Sequence, residues 1–237
     1  MGYVAANVIR LSAIAPWQPA FLVALAHGVY AGVHLPPSSD PVPAEVLGQL
    51  PPEEQLHART LGGFRQAQFV GGRLAFAQAF AELGHRRPAI LSDVHGAPLL
   101  PRGLVGSVTH KQDLAVALLA RGAPGLGVDL EDTDRDRPGV ARRVLRPEEL
   151  AEVEALPPSR QWTETAIRFS LKESVYKALH PFLLRYIGFG EVAIRTTPEG
   201  IDQVVPYLQP GEGPFVFDAR HTWVDSRILT SVRARPA

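Results

Sequence analysis

The residues with the types and spacing to do chemistry are concentrated in two short stretches. In Arg168–Leu179 (RFSLKESVYKAL), Glu173 and Lys177 stand four residues apart. In Gly127–Glu131 (GVDLE), Asp129 and Glu131 stand two apart. Side chains alternate across a strand, so Asp129 and Glu131 project to one side. Carboxylates held that close repel unless a cation lies between them. Mg2+ suits such a pair, because it takes oxygen ligands and needs only a few carboxylates beside substrate phosphates. Solvated acids at the end of an exposed strand describe the pair equally well. Glu173 and Lys177 also admit two accounts. They could be an i,i+4 helix pair contributing roughly 0.2–0.5 kcal/mol, or an acid and an ammonium aimed at a ligand.

Other donors lie upstream. Arg65 and Arg73 are a little over two helical turns apart, a spacing that would let both face one way, and guanidinium forks suit phosphates. Two solvated surface arginines would look the same in sequence. The run Gly106–Lys111 (GSVTHK) ends a strand in the hydroxyl of Thr109, the imidazole of His110 and an ammonium, all able to meet an anion; His110 could equally be structural. The eight histidines show no zinc-ligand spacing,. No Ser-His-Asp arrangement is argued by any spacing. Gly125-x-Gly127 lacks the third glycine and the following helix of a dinucleotide fingerprint.

These groups need elements to hold them. Ile167, Leu171, Val175 and Ala178 form an apolar stripe at helical period, which predicts a helix over about 160–179 with Ser170, Glu173 and Lys177 on its shoulder and Lys172 pointing elsewhere. Strands are expected at 104–109, 114–121, 126–131, 191–196, 214–219 and 227–232, with another somewhere in 21–33. A helix over 53–83 carries the glycine pairs 62–63 and 71–72, which suggest close approach of another backbone or a ligand. Short helices are expected at 140–145 and 147–156. The element order repeats on either side of Gly122–Gly125, predicting an α+β fold of two pseudo-duplicated lobes, 1–122 and 123–237. Each would be a small antiparallel sheet packed on a long helix, and the second would carry the metal site.

Composition bounds the rest. The chain has 237 residues, 46% of them hydrophobic and 20% charged, with 24 basic and 24 acidic side chains and no cysteine. That describes a globular protein with a real core and no net field to attract nucleic acid or a membrane. Disulfides, thiolate zinc sites and thiol nucleophiles are excluded. Phe21–Ala26 is too short for a span and lacks the basic lead of a signal peptide, so a cytoplasmic protein is expected.

Taken together, and in this order, the motifs resemble the 4′-phosphopantetheinyl transferases of the two-lobed type that activates surfactin and enterobactin synthetases. The resemblance runs from about Arg65 to Leu179. It is carried by RxxxFxxGR (65–73), GSVTH (106–110), GVDLE (127–131) and FSLKESxxKA (169–178), the last two being specific as a pair. It implies transfer of the phosphopantetheine arm of coenzyme A to a serine on an apo acyl or peptidyl carrier protein, with release of adenosine 3′,5′-bisphosphate. Asp129, Glu131 and Glu173 would hold Mg2+, with Mn2+ as an alternative. Glu173 would deprotonate the serine and Lys177 would contact the pyrophosphate. Thr109, His110, Arg65 and Arg73 would grip coenzyme A, lying between lobes that already act as a pseudo-dimer, so a monomer is implied. The chain departs from the family at Gln68, where an acid is frequent, and at Leu99-Leu100, where tryptophan is. A basic residue near Gly96-Ala97 is missing, with Arg102 or Lys111 as substitutes. A Mg2+-dependent coenzyme A or nucleotide phosphohydrolase is the alternative activity, and a non-catalytic binding module the third reading.

Overall fold

A computed structural model describes residues 14–122 and 125–237. The chain divides into two compact units, one ending at Gly122 and one running on to Ala237. Among the described residues, no helix is long and apolar enough to cross a membrane.

In the first unit, β1 (Pro19–Leu25) and β2 (Gly28–His34) form a hairpin where the sequence suggested only one strand. A short helix α1 (Ala44–Leu47) precedes α2 (Pro52–Thr60) and α3 (Gly63–Glu82). The single helix expected over 53–83 is thus two. Leu61 is extended and Gly63 adopts φ +56°, a left-handed conformation that glycine enters without a Cβ penalty,. The hairpin β3 (Leu104–Lys111) and β4 (Leu114–Arg121) completes an antiparallel sheet in the order β1-β2-β4-β3. His110 and Lys111 belong to the strand, so the turn is shorter than the sequence indicated.

Helix α3 lies on this sheet through its glycine pair. A Cβ at Gly71 would stand 2.1 Å from a Leu35 methyl and 3.2 Å from Ala115, and one at Gly72 would stand 2.9 Å from Val108. The glycines therefore admit side chains of the sheet rather than a ligand. Leu74, Phe76 and Phe80 then pack with Val33, Ala117 and Leu119 in the core.

The second unit begins with β5 (Leu126–Asp132), followed by α4 (Val140–Val144), α5 (Pro147–Glu154) and α6 (Pro158–Leu183). Helix α6 extends past the expected end and carries Pro181 two residues before its end, where the missing N–H costs one intrahelical bond and the helix has little further to run,. A 3-10 turn leads into β6 (Val192–Arg195), β7 (Ile201–Pro206), β8 (Phe215–Val224) and β9 (Arg227–Pro236). Strand β7 was not anticipated; its sequence, IDQVVP, is half polar and ends in proline. The antiparallel order is β5-β9-β8-β7-β6. The stripe Ile167, Leu171, Val175, Ala178 joins Ile228 and Val232 of β9 in the core beneath α6. Each unit is thus an antiparallel sheet carrying one long helix, the α+β arrangement expected.

Candidate active site

At Gly127, strand β5 and helix α6 meet backbone to backbone. An added Cβ on Gly127 would lie 1.9 Å from the Ser174 carbonyl oxygen and 2.9 Å from the Ala178 nitrogen. Only glycine allows the two backbones this close. The residues one and two strand periods further along the same face, Asp129 and Glu131, are thereby brought against the shoulder of α6.

Asp129 is buried and accepts from both of its α6 neighbours. The Ser170 hydroxyl donates to Oδ2 at 2.9 Å and Lys177 Nζ donates to Oδ1 at 2.9 Å. Lys177 also donates to the Val128 carbonyl at 2.8 Å. Lys177 therefore reaches across to the strand as well as lying one turn from Glu173 on the helix. Beneath the pair, the β9 residue Thr230, register partner of Asp129, holds the hydroxyls of Ser170 and Ser174 within 2.9 and 2.8 Å and donates to the Ser170 carbonyl. This buried hydroxyl cluster fixes the Asp129 carboxylate in place. Serine 170 was placed on this shoulder by helical spacing. Thr230, sixty positions away, carries no local signal because a threonine in a β pattern looks like an ordinary strand residue.

Glu131 is 2% exposed and meets a different cation: Arg137, from the loop after β5, approaches its Oε1 at 3.0 Å. Arg137 also lies 3.8 Å from Asp132, which Arg227 holds at 2.9 Å. Glu173 is half-buried on α6. Among the described residues, no three acidic or histidine side chains close into a metal cage. The set is nevertheless chemically suited to Mg2+, which keeps water and takes only one or two carboxylates with substrate phosphates. Asp129 already attracts Lys177, and Glu131 attracts Arg137.

Lys172, in the same motif, does something else. Its side chain is 1% exposed and its ammonium is fully used, by Glu149 at 2.5 Å, the Val144 carbonyl at 2.8 Å and the Phe189 carbonyl at 2.9 Å. Glu149 in turn accepts from the Ile194 and Arg146 backbone N–H groups, both at 2.7 Å. Burial pushes the Lys172 ammonium below the ordinary lysine range, outweighing the pull of Glu149,. This pair ties α4, α5, the 3-10 turn and β6 to α6.

In the first unit the basic candidates separate. Arg65 is exposed, whereas Arg73 is 3% exposed and committed inward. Its Nε donates to the Ile90 carbonyl at 2.5 Å, its Nη2 to Ser92 at 3.0 Å, and its guanidinium lies 4.3 Å from the Phe69 ring centre. The two do not face one way, because eight residues overshoot two full turns by about 80°. Burial lowers Arg73 to about 10, with Glu54 opposing the shift. Glu54 holds the same segment by accepting from the Ile90 N–H at 2.6 Å and pairing with Arg87. Thr109 is buried while His110 is exposed, and as strand neighbours they project to opposite faces,. Arg102 is exposed and Lys111 half-buried; the loop near Gly96-Ala97 is organised by Asp93, which accepts from the His95 and Ala97 N–H groups at 2.8 and 2.9 Å.

Comparison with known proteins gives the family. A family model described as the 4′-phosphopantetheinyl transferase N-terminal domain matches residues 53–120, and one for the 4′-phosphopantetheinyl transferase superfamily matches residues 125–228. The chain belongs to this family and is a transferase. Among its relatives, 4′-phosphopantetheinyl transferase Npt of Nocardia iowensis is 34% identical over 211 residues, covering 79% of this chain and 90% of that protein. 4′-phosphopantetheinyl transferase Svp of Streptomyces mobaraensis is 33% identical over 174 residues, covering 71% of this chain and 70% of that protein. Among solved structures, the holo-ACP-synthase from Plasmodium yoelii aligns with 48% of this chain and 94% of that one at 18% identity and a TM-score of 0.40.

Proposed function

We propose that this transferase moves the 4′-phosphopantetheine arm of coenzyme A to a serine of an apo acyl or peptidyl carrier protein, with Mg2+, releasing adenosine 3′,5′-bisphosphate. The observation that carries the reading is the meeting of β5 and α6, where Asp129 and Lys177 stand 2.9 Å apart over a backbone contact that only Gly127 permits. Family membership supplies the group transferred; this pairing supplies a place where a carboxylate pair and an ammonium could handle a pyrophosphate.

In this mechanism Asp129, Glu131 and Glu173 would hold Mg2+, which would supply charge neutralisation at the pyrophosphate. The carrier serine oxygen attacks the phosphorus that bears pantetheine. The bond from that phosphorus to the adenosine bisphosphate oxygen breaks, and the serine proton passes to Glu173, directly or through water. Lys177 donates to the pyrophosphate oxygens as charge leaves with the nucleotide. Ser170 and Thr230 touch no substrate; they hold Asp129. In the first unit, Arg65, Arg73, Thr109 and His110 remain the residues proposed to meet coenzyme A. The internal bonds of Arg73 indicate that it also stiffens the segment around Ile90. The enzyme is read as a cytoplasmic monomer.

The test is to incubate the protein with coenzyme A, Mg2+ and apo carrier proteins and to weigh the carriers. Gain of a phosphopantetheine mass is expected; no gain on any apo carrier of the source organism would defeat the reading. Glu173→Gln should lower transfer by about 10²–10⁴-fold while the thermal unfolding midpoint stays unchanged. Wild-type turnover in that variant would remove Glu173 from the mechanism.

A further inference from the structure

The segment 186–191, just beyond helix α6, is a surface turn held by three cations. Lys172 Nζ donates to the Phe189 carbonyl at 2.9 Å, Arg185 Nη1 to the Tyr186 carbonyl at 2.8 Å, and Arg146 to the Gly190 carbonyl. Arg185 also forks onto two carboxylates, Glu191 at 2.6 Å and Glu212 at 2.5 Å. Glu191 turns back to accept from the Gly188 N–H at 2.9 Å.

This bracing sets two rings of the turn beside two rings of α6. Phe189 lies 5.6 Å from Phe169 and Tyr186 lies 5.3 Å from Tyr176, both tilted, as aromatic pairs favour,. Phe169 stands four residues before Glu173 and Tyr176 three after it, so both are its neighbours on the helix surface,. Phe169 and Phe189 are closed off by packing on Val144 and Val153. Tyr186 is not: it remains 62% exposed. A large ring fixed in place and left open to solvent has the properties of an interface anchor, because little entropy is lost when a partner covers it.

The role of Glu173 dictates what comes here. A serine that gives its proton to Glu173 must approach within hydrogen-bond reach, or within one water of it. The residues beside that serine then lie over positions one helical turn from Glu173, where Tyr176 is stacked on Tyr186. The turn meets them with rings rather than charge, since its arginine is already forked onto two carboxylates.

We propose that Tyr186, backed by Tyr176, is a docking anchor for the carrier protein and receives an apolar side chain that flanks the modified serine. The proposal rests on the transfer reading above, with Glu173 as proton acceptor. Tyr186 touches neither coenzyme A nor the reacting atoms, so it sets carrier affinity and not the chemical step.

The experiment is steady-state transfer by the whole protein, with KM measured separately for coenzyme A and for the apo carrier that wild type modifies fastest. Tyr186→Ala should raise the carrier KM about five- to thirtyfold, with kcat and the coenzyme A KM within about twofold of wild type. Tyr186→Phe keeps the ring and should stay within about twofold of wild type in all three. Val216 is also exposed, but its strand neighbour Phe215 packs on Phe182 of α6, so Val216 leaves the opposite face of the sheet,. Val216→Ser should leave each constant within about twofold. On the carrier, truncating the apolar residue nearest the serine to alanine should weaken wild type yet add little to Tyr186→Ala, the non-additivity of groups in contact. An unchanged carrier KM in Tyr186→Ala, or a rise in the coenzyme A KM instead, overturns the anchor while the transfer reading stands. A wild type that modifies no apo carrier defeats the transfer reading, and the anchor with it.

Discussion

Lys172 and Lys177 lie on the same helix, and each faces a carboxylate, but in opposite surroundings. Lys172 is sealed from solvent, and all three of its N–H bonds end on protein oxygens. Lys177 keeps a quarter of its side chain exposed, and two protein oxygens receive it. Among the described residues, that leaves one N–H of Lys177 for something else. A saturated ammonium ties elements together and has nothing to offer a substrate. An unsaturated one, held rigid by a buried acid and a backbone carbonyl, can receive a phosphate oxygen without first being reorganised. The two lysines in one motif thus divide structure from chemistry.

The contrast can be broken most sharply at Lys172. Lys172→Ala strands Glu149 in the core and should destabilise the protein by ~3–5 kcal/mol in denaturant unfolding. A loss below ~1 kcal/mol would mean the pair is not holding α4, α5 and β6 to α6. Next, Lys177→Gln should cut carrier modification by roughly 10²–10³-fold, the range for losing one transition-state donor, with unfolding free energy within ~1 kcal/mol of wild type. A stability loss like that at Lys172 would erase the distinction. Gly127→Ala should cost ~1–3 kcal/mol by overpacking and should lower transfer as well, because it pushes Lys177 away from Asp129. Equal stability and turnover would show that β5 and α6 need no backbone contact.

The smallest effect concerns pH. Lys172 releases its proton at lower pH in the folded state than the 10.5 of an ordinary lysine. In the interval just below 10.5 the unfolded chain therefore binds more protons, so this residue makes stability rise with pH there. Below the depressed folded value both states are protonated and the full burial penalty is present. Measured over that alkaline interval, Lys172→Met should lose this rising contribution relative to wild type. Parallel pH profiles would show that the lysine is not depressed.

Much of this was legible in the sequence, and the parts that were not share a cause. The stripe Ile167, Leu171, Val175, Ala178 and the alternation of Asp129 and Glu131 are local periodicities, and they placed the helix and strand that build the site. Ser170 and Lys177 followed from the same helical spacing. Thr230 did not, because its role depends on pairing with Asp129 about a hundred positions upstream in register. Glu149 was invisible for a related reason: a glutamate near the start of a short helix is ordinarily solvated, and only tertiary packing buries it beside Lys172. Arg73 was read with Arg65 from helical spacing alone, which cannot show that its fork also holds Ile90 and Ser92 from a segment further along the chain. The β1–β2 hairpin and strand β7 were blurred where apolar alternation is weak.

The contact at Gly127 has a consequence for motion. Two backbones touching directly cannot slide without breaking strand and helix hydrogen bonds together, so the amides of 127–131 and 174–178 should open as one cooperative unit. In native-state hydrogen exchange they should share one opening free energy near that of global unfolding, while the loop carrying Arg137 exchanges orders of magnitude faster.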